Sequence, residues 1–211
     1  MSLMMNKGGN YFFIHIPRTG GTTIEQQLHL RHRGWQAFPG DTLKTYPTQH
    51  YHIEQIFQFK QFYMWKQFVF TIVRNPWDRL VSEYGVKQMN GESCSFNELM
   101  DLTEWRVELF NRGIHYDRGV HKNISHSVPQ YAFVYYGSIQ IPNFIGRFEE
   151  YEKSLSYISE QIGYSLQTAE KLHATKHDHY SKYYSRKNKG RLAKLYKWDI
   201  QLFNYRFKKE R

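Results

Sequence analysis

Two short segments of the chain carry residues that suit an anionic ligand. The first follows the apolar run 11–16 and reads Pro-Arg-Thr-Gly-Gly-Thr-Thr from position 17. Its glycines let the backbone approach a ligand closely, and Thr22 and Thr23 add hydroxyl donors. A strand, a tight turn and a helix start in this order also aim backbone N–H groups and the helix dipole at an anion. The pattern predicts a phosphate-type loop with Arg18 as its cation.

The second segment follows a β-branched and aromatic run, 68–73, that is typical of a strand. Arg74 comes directly after this run, and Pro76 suits the first turn of a helix that Asn75 can cap. Ser82 then lies two turns into that helix. Because open α/β sheets bind ligands at the carboxyl ends of their strands, Arg74 is expected on the ligand side. The alternative is an ordinary ion pair at the strand end.

The first loop differs from the Walker A pattern of kinases and NTPases. That pattern ends in Gly-Lys-Ser/Thr, with the lysine just before the hydroxyl residue. Gly21 stands at this lysine position, and the cation Arg18 lies on the strand side of the turn. The second strand ends in Arg74 rather than in an acidic residue that could bind Mg²⁺. These differences make a P-loop kinase or NTPase the weaker interpretation of the two segments.

Together the two segments resemble those of sulfotransferases that use 3′-phosphoadenosine 5′-phosphosulfate (PAPS). Residues 16–23 resemble the family's 5′-phosphosulfate loop, and residues 74–82 resemble its 3′-phosphate segment. The likeness continues through 143–149 and 199–207 in the same order. The branch with the greatest similarity is that of carbohydrate sulfotransferases resembling heparan sulfate 2-O-sulfotransferase, with its short bacterial relatives.

The resemblance implies a role for each matching residue. Arg18 stands where the family usually has a lysine that contacts the bridging oxygen and the leaving phosphate, so it takes the catalytic cation's place. The implied cofactor is PAPS, with no metal requirement. The residues implied to hold the 5′-phosphosulfate are Arg18, Thr19, Gly20, Gly21, Thr22 and Thr23. Those implied for the 3′-phosphate are Arg74 and Ser82.

Sulfonate transfer to a hydroxyl also needs a base, and histidine has a pKa near the working range. His50 and His52 lie between the two cofactor segments, where the 2-O-sulfotransferase branch places a histidine. His50 is the first candidate for the base and His52 the second. Glu25 and Glu83 are weaker candidates, because each falls in a predicted helix and is expected to be solvent-facing or structural. A metal pair at His50 and His52 lacks a clear third ligand.

Strand and helix patterns alternate along the chain and predict an α/β fold. The resemblance implies a P-loop-kinase-like three-layer arrangement with a central, mainly parallel sheet flanked by helices. Predicted strands span 11–16, 68–73, 131–136 and 143–147. Predicted helices span about 22–31, 52–59, 76–88, 96–111, 149–162 and 189–204, with loops at 112–129 and 173–188.

Length and composition set further expectations. Residues 1–3 resemble a cloning remnant, and residues 4–211 fit a single sulfotransferase domain. No apolar run approaches membrane-spanning length, so a cytoplasmic protein is expected. The net charge of +10 is concentrated in the C-terminal third and suits a polyanion. With the donor motifs present, an acidic sugar chain or the anionic cofactor explains this charge better than nucleic acid, and the acceptor hydroxyl is expected on a glycan or glycoside. A non-catalytic basic module that binds polyanions is the third interpretation.

Overall fold

A computed structural model of the chain describes residues 11–28, 52–54, 67–114, 124–168 and 177–210. The chain forms two compact units, residues 1–73 with 132–172 (unit one) and residues 74–131 with 173–211 (unit two). In chain order the described helices and strands are β1 (Tyr11–Ile14), α1 (Gly21–Gln27), β2 (Phe68–Val73), α2 (Pro76–Met89), α3 (Phe96–Asn111), α4 (Ile124–Ser127), α5 (Tyr131–Val134), β3 (Tyr135–Tyr136), β4 (Ile139–Gln140), β5 (Phe144–Arg147), α6 (Tyr151–Ile162), α7 (Arg186–Leu195) and α8 (Lys197–Leu202), with short 3₁₀ turns at Phe148–Glu150 and Tyr180–Tyr183.

Unit one contains a parallel sheet in the order β1-β2-β5. Ile14 of β1 pairs in register with Thr71 of β2, and Val73 of β2 pairs with Arg147 of β5. The central strand is almost continuously apolar and buried, as expected for a parallel strand that is covered on both faces. β3 and β4 form a separate antiparallel hairpin.

The core of unit one lies between the sheet and the helices α1 and α6. Phe13, Phe70 and Ile72 of the sheet form one buried cluster with apolar residues of both helices. Gly146 of β5 allows close packing, because a Cβ there would lie 2.5 Å from Ile72 Cδ1 and 2.8 Å from Ser154. The structure thus confirms a mainly parallel sheet flanked by helices.

Unit two is helical and packs α2, α3, α7 and the turn Tyr180–Tyr183 around a second buried cluster. Asn75 caps α2 by accepting a hydrogen bond from the Trp77 backbone N–H, and Pro76 occupies the first turn as predicted. Ser95 and Glu98 form a reciprocal capping box at the start of α3. These local signals explain why the bounds predicted for both helices agree with the structure within one residue.

Other predicted bounds were less accurate. β1 ends at Ile14 and α1 at Gln27, so both are shorter than predicted. The predicted loop 112–129 contains the short helix α4, and 115–123 lie outside the described residues. Of the predicted helix 52–59, Ile53 and Glu54 have helical backbone, and residues 55–59 also lie outside.

The predicted strand 131–136 was wrong over its first four residues, which form α5. A short, buried apolar run does not separate a strand from a helix by its pattern alone. The Asp199 carboxylate accepts a hydrogen bond from the Tyr131 backbone N–H at 2.8 Å, which satisfies one of the open donors of a helix start. The sequence gives no sign of this distant partner.

The predicted final helix 189–204 was also wrong, because α7 and α8 are separate helices that meet at Tyr196. α7 begins at Arg186, inside the loop predicted for 173–188, since the Ser185 side chain accepts from the Asn188 N–H and caps it.

Within the described ranges, no helix has the length and apolar character needed to span a membrane.

Candidate functional site

The loop between β1 and α1 has an unusual backbone. Arg18 and Gly20 both lie in the left-handed region, with φ values of 66° and 84°. For a residue with a side chain this conformation costs about 1 kcal/mol or more, and such strain collects at functional sites. Turns containing left-handed residues can also form concave groups of backbone N–H donors that bind anions. The half-buried Arg18 therefore occupies the most strained position of the predicted anion loop.

Hydrogen bonds within unit one hold this loop in place. The Thr19 hydroxyl is fully buried and donates to the Ile16 carbonyl at 2.8 Å. The Gly20 carbonyl accepts from the Thr23 N–H at 3.2 Å and from the Tyr151 hydroxyl at 2.7 Å. Burial raises the pKa of Tyr151, and its hydrogen bond with Thr23 offsets part of this rise. Tyr151 therefore remains a protonated donor, and the loop is fixed from within and from α6.

A buried histidine–glutamate pair lies against the same loop. His15 Nδ1 and Glu25 Oε1 are 2.7 Å apart, and both side chains are less than 5% exposed. The His15 ring stacks on Phe13 and faces Gly21, where a Cβ would lie only 2.2 Å from the ring carbon Cδ2. Glu25 is thus a buried structural partner rather than a solvent-facing residue. The sequence pattern did not single out His15, although it follows Phe13 by two residues and so continues the same face of the strand.

The second predicted segment begins in unit two with Arg74. This residue is buried, and its Nε donates to the Asp78 carboxylate at 2.8 Å, one helical turn further on. Its backbone N–H donates to Gln130 Oε1 at 2.8 Å, and its carbonyl accepts from Gln130 Nε2 at 2.7 Å. The guanidinium and the backbone of Arg74 are therefore both fixed by named partners. Gln130 carried no signal in the sequence.

Gln130 is itself held by a buried carboxylate. Asp199 Oδ2 accepts from the Gln130 backbone N–H at 2.8 Å, and Oδ1 accepts from the Tyr131 N–H. Burial raises the pKa of Asp199 to about 6, while these backbone donors favour its charged form. The carboxylate fixes the start of α5 and, through Gln130, the position of Arg74.

Ser82 and Glu83 lie on α2, and both are buried. The Glu83 carboxylate accepts from the His126 Nδ1 at 3.0 Å, so this weaker base candidate is also a structural partner. Arg79 donates to the backbone carbonyls of His126 and Val128 at 3.0 and 2.9 Å. His126 is thus fixed both at its ring and at its backbone.

Arg106, on α3, is also buried near Glu83. Burial lowers its pKa, and its Nε and Nη1 have no hydrogen-bond partner within the described ranges.

One comparison identifies the family. A sequence model of the sulfotransferase family matches residues 1–206, which include both anion segments. The chain belongs to the sulfotransferase family. Searches of curated proteins and of solved structures found no significant match. Membership makes the chain a transferase and points to sulfonate transfer as its reaction.

Each of the two predicted anion segments has side chains whose chemistry suits an anionic ligand. Each of the two segments supplies an arginine, and serine or threonine hydroxyls stand close to it in sequence. Across the described part of the chain, no three His, Cys, Asp or Glu side chains come together as metal ligands would. The absence of a metal requirement stays a prediction.

Only one of the two predicted bases lies among the residues that the structure describes. His50 lies outside the described residues. His52 is 3% exposed and directly precedes the buried Ile53. Because the structure does not compare the two residues, His50 as the first choice of base and His52 as the second both stay predictions.

Proposed function

We propose that this chain is a PAPS-dependent O-sulfotransferase that acts on a carbohydrate-type hydroxyl. The observation that carries the proposal is the family match over residues 1–206, because it includes both segments that resemble the cofactor motifs. The chemistry of their side chains fits PAPS, which has a phosphosulfate at the 5′ end and a phosphate at the 3′ position. The proposal includes the P-loop-kinase-like fold and the single domain 4–211. Cytoplasmic location stays a prediction.

The proposal gives the loop 17–23 the task of holding the 5′-phosphosulfate. Arg18 binds and stabilises the negative charge of the leaving phosphate, which is the role implied by its position in the motif. The backbone around Gly20 and Gly21 and the half-buried Thr22 supply further donors. Because the Thr19 hydroxyl donates to the Ile16 carbonyl, Thr19 contributes through its backbone and by keeping the loop in shape.

Arg74 and Ser82 are proposed to bind the 3′-phosphate. Arginine suits phosphate because its planar guanidinium donates two parallel hydrogen bonds. The bond from Arg74 Nε to Asp78 fixes the plane of this group. A side chain that is already fixed loses less conformational entropy when the phosphate binds.

The chemical step needs a base and an in-line approach. PAPS supplies an activated sulfonate, which passes to the acceptor oxygen as the bond between sulfur and the 5′-phosphate oxygen breaks, leaving 3′,5′-ADP. His50, or His52 in second place, accepts the proton from the acceptor hydroxyl. Arg18 meets the charge that develops on the leaving oxygen. Each group acts on a different part of the same transition state.

An acidic glycan is the proposed acceptor, in keeping with the resemblance to the heparan sulfate 2-O-sulfotransferase branch. The C-terminal part of unit two supports it through charge complementarity. Arg191 and Lys182 in this part form ion pairs with carboxylates. Besides Lys182, the exposed cations among the described residues of this part are Arg186, Lys187, Lys189, Lys194, Lys197, Arg206, Lys208 and Lys209.

Calorimetric titration with 3′,5′-ADP, ADP and ATP–Mg²⁺ tests the nucleotide assignment. We expect micromolar binding of 3′,5′-ADP and much weaker binding of the other two. Arg74→Ala should remove most of this preference. Lys153→Ala, which removes an exposed cation from α6, is the matched control and should bind like the wild type. Equal or tighter binding of ATP would contradict the proposal and favour a kinase or NTPase.

The base is tested by turnover of PAPS with a panel of acidic glycans. His50→Ala should lower kcat by at least about a hundredfold while the affinity for 3′,5′-ADP stays the same. His126→Ala is the matched histidine control and should keep its turnover. Nucleotide binding without turnover in the wild type, on any acceptor, would favour the non-catalytic polyanion-binding module.

A further inference from the structure

The backbone of Arg74 has an uncommon hydrogen-bond partner. Arg74 follows the last residue of β2, where a strand's N–H and C=O groups would otherwise pair with a neighbouring strand. Here one side-chain amide binds both groups, with Gln130 Oε1 accepting from the N–H and Nε2 donating to the carbonyl. Gln130 is fully buried. Its amide therefore replaces a neighbouring strand at a single residue.

Gln130 can hold Arg74 only because it is fixed as well. Its backbone N–H donates to Asp199 Oδ2 at 2.8 Å, and its side-chain Nε2 lies 3.5 Å from the same oxygen. The Asp199 carboxylate also fixes the orientation of the amide, because an amide turned by 180° would place its oxygen against the carboxylate. Asp199, Gln130 and Arg74 thus form a buried chain of hydrogen bonds within unit two.

We propose that Gln130 is a positioning residue that sets the affinity of this sulfotransferase for the 3′-phosphate of its nucleotide. This inference rests on the proposed function, which assigns the 3′-phosphate to Arg74. A guanidinium binds phosphate with two parallel hydrogen bonds only if the backbone that carries the arginine side chain is held within a fraction of an ångström of the required position. Asp78 fixes the Arg74 side chain at Nε, and Gln130 fixes the backbone from which that side chain extends.

The test compares two ligands that differ only in the 3′-phosphate, namely 3′,5′-ADP and 5′-AMP. The dissociation constant of 5′-AMP divided by that of 3′,5′-ADP isolates the contribution of the 3′-phosphate. Gln130→Met keeps the length of the side chain but removes both hydrogen bonds. Gln130→Glu keeps the acceptor for the Arg74 N–H, but it replaces the donor for the Arg74 carbonyl with an oxygen that faces the Asp199 carboxylate. We expect either variant to lower the ratio by about tenfold, with the affinity for 5′-AMP changed less than about threefold.

Two controls separate positioning from general loss of stability. Gln88→Met removes a glutamine–backbone hydrogen bond of the same kind, from Gln88 Nε2 to the Cys94 carbonyl, at an exposed site. Val107→Ala weakens the core of unit two without touching Arg74. Both variants should keep the wild-type ratio of dissociation constants. A lower melting temperature combined with an unchanged ratio in both Gln130 variants would overturn the inference.

A double-mutant cycle gives the decisive comparison. If Gln130 acts through Arg74, then Gln130→Met should have no further effect on 3′,5′-ADP affinity when Arg74→Ala is already present. Additive losses would overturn the positioning role. A wild-type protein that binds 5′-AMP and 3′,5′-ADP equally would overturn the proposed function itself, whereas a wild-type preference that survives in both Gln130 variants would overturn this inference alone.

Discussion

Each unit of this sulfotransferase contains a histidine–glutamate pair, and the two pairs differ in their surroundings. In unit one, His15 and Glu25 are 2.7 Å apart with side chains 4% and 3% exposed. In unit two, His126 and Glu83 are 3.0 Å apart with side chains 22% and 10% exposed. The same two residue types thus form an internal connection in one unit and a partly solvated contact in the other.

The difference follows from what each histidine packs against. His15 lies between the Phe13 ring and the Gly21 backbone, so the His15–Glu25 pair is shielded from water. His126 is held through its own carbonyl by Arg79, and part of its ring reaches solvent. A buried pair is costly to break because the remaining group stays desolvated, whereas a partly exposed pair regains water. Breaking the pair in unit one should therefore lower the stability more than breaking the pair in unit two.

The largest effect is expected from Gly21→Ala. A Cβ at this position would lie 2.2 Å from His15 Cδ2, so the ring must move, and we expect it to lose its 2.7 Å contact with Glu25. We expect the free energy of unfolding to fall by about 4 kcal/mol, as measured by urea denaturation. Gly190→Ala is the matched control, because α7 leaves open space around Gly190 and alanine should stabilise the helix by about 0.5 to 1 kcal/mol. Equal effects of the two substitutions would contradict the packing of His15 on the loop.

Replacing the histidines one at a time tests the comparison directly. His15→Gln should lower the free energy of unfolding by about 3 kcal/mol, because it replaces the buried imidazole that contacts the Glu25 carboxylate. His126→Gln should cost about 1 kcal/mol or less, since solvent reaches that site. Urea denaturation of both variants measures the difference. A larger loss for His126→Gln would show that Glu83 depends on the imidazole more than its exposure indicates.

Asp199 differs from both glutamates because its partners are backbone N–H groups of Gln130 and Tyr131 rather than an imidazole. Burial raises its pKa to about 6, above the ordinary value near 3.8. The folded state therefore binds this proton more tightly than the unfolded chain does. The stabilising contribution is fully present below about pH 4 and is lost as the pH rises through 6, a change of order 2 to 3 kcal/mol.

Asp199→Asn removes this titration. Urea denaturation of both proteins between pH 4 and pH 7 should give a steeper fall in stability for the wild type than for the variant, because other carboxylates affect both alike. Parallel curves would show that Asp199 keeps an ordinary pKa in the folded protein.

The sequence predicted the parts of the molecule that depend on local signals. The strand 68–73 and the helix 96–111 match the structure because a β-branched run and a Ser95–Glu98 capping box lie within the segments themselves. The anion loop stays a prediction, which rests on its glycines and Arg18. His15, Gln130 and Asp199 were missed because their roles depend on partners 10, 56 and 69 residues away in the chain. Residue type alone does not predict such distant contacts.

The smallest effect on stability is expected where the predicted loop is most strained. Arg18→Gly relieves a left-handed residue by about 1 kcal/mol but adds freedom to the unfolded chain, so the two terms nearly cancel. The free energy of unfolding should change by less than about 1 kcal/mol, in contrast to Gly21→Ala three residues further on. Affinity for 3′,5′-ADP should nevertheless fall by at least about tenfold, because the cation proposed to contact the 5′-phosphate is gone.

Arg18→Lys separates charge from backbone in this prediction, because lysine keeps the positive charge and the same left-handed cost. Its affinity for 3′,5′-ADP, measured by calorimetry, should stay within about threefold of the wild type. If Arg18→Gly binds as tightly as Arg18→Lys, the cation does not contact the nucleotide, and the strain at this position needs another explanation. If it binds weakly at unchanged stability, the strained residue serves binding rather than folding, whereas the neighbouring Gly21 serves the packing of His15.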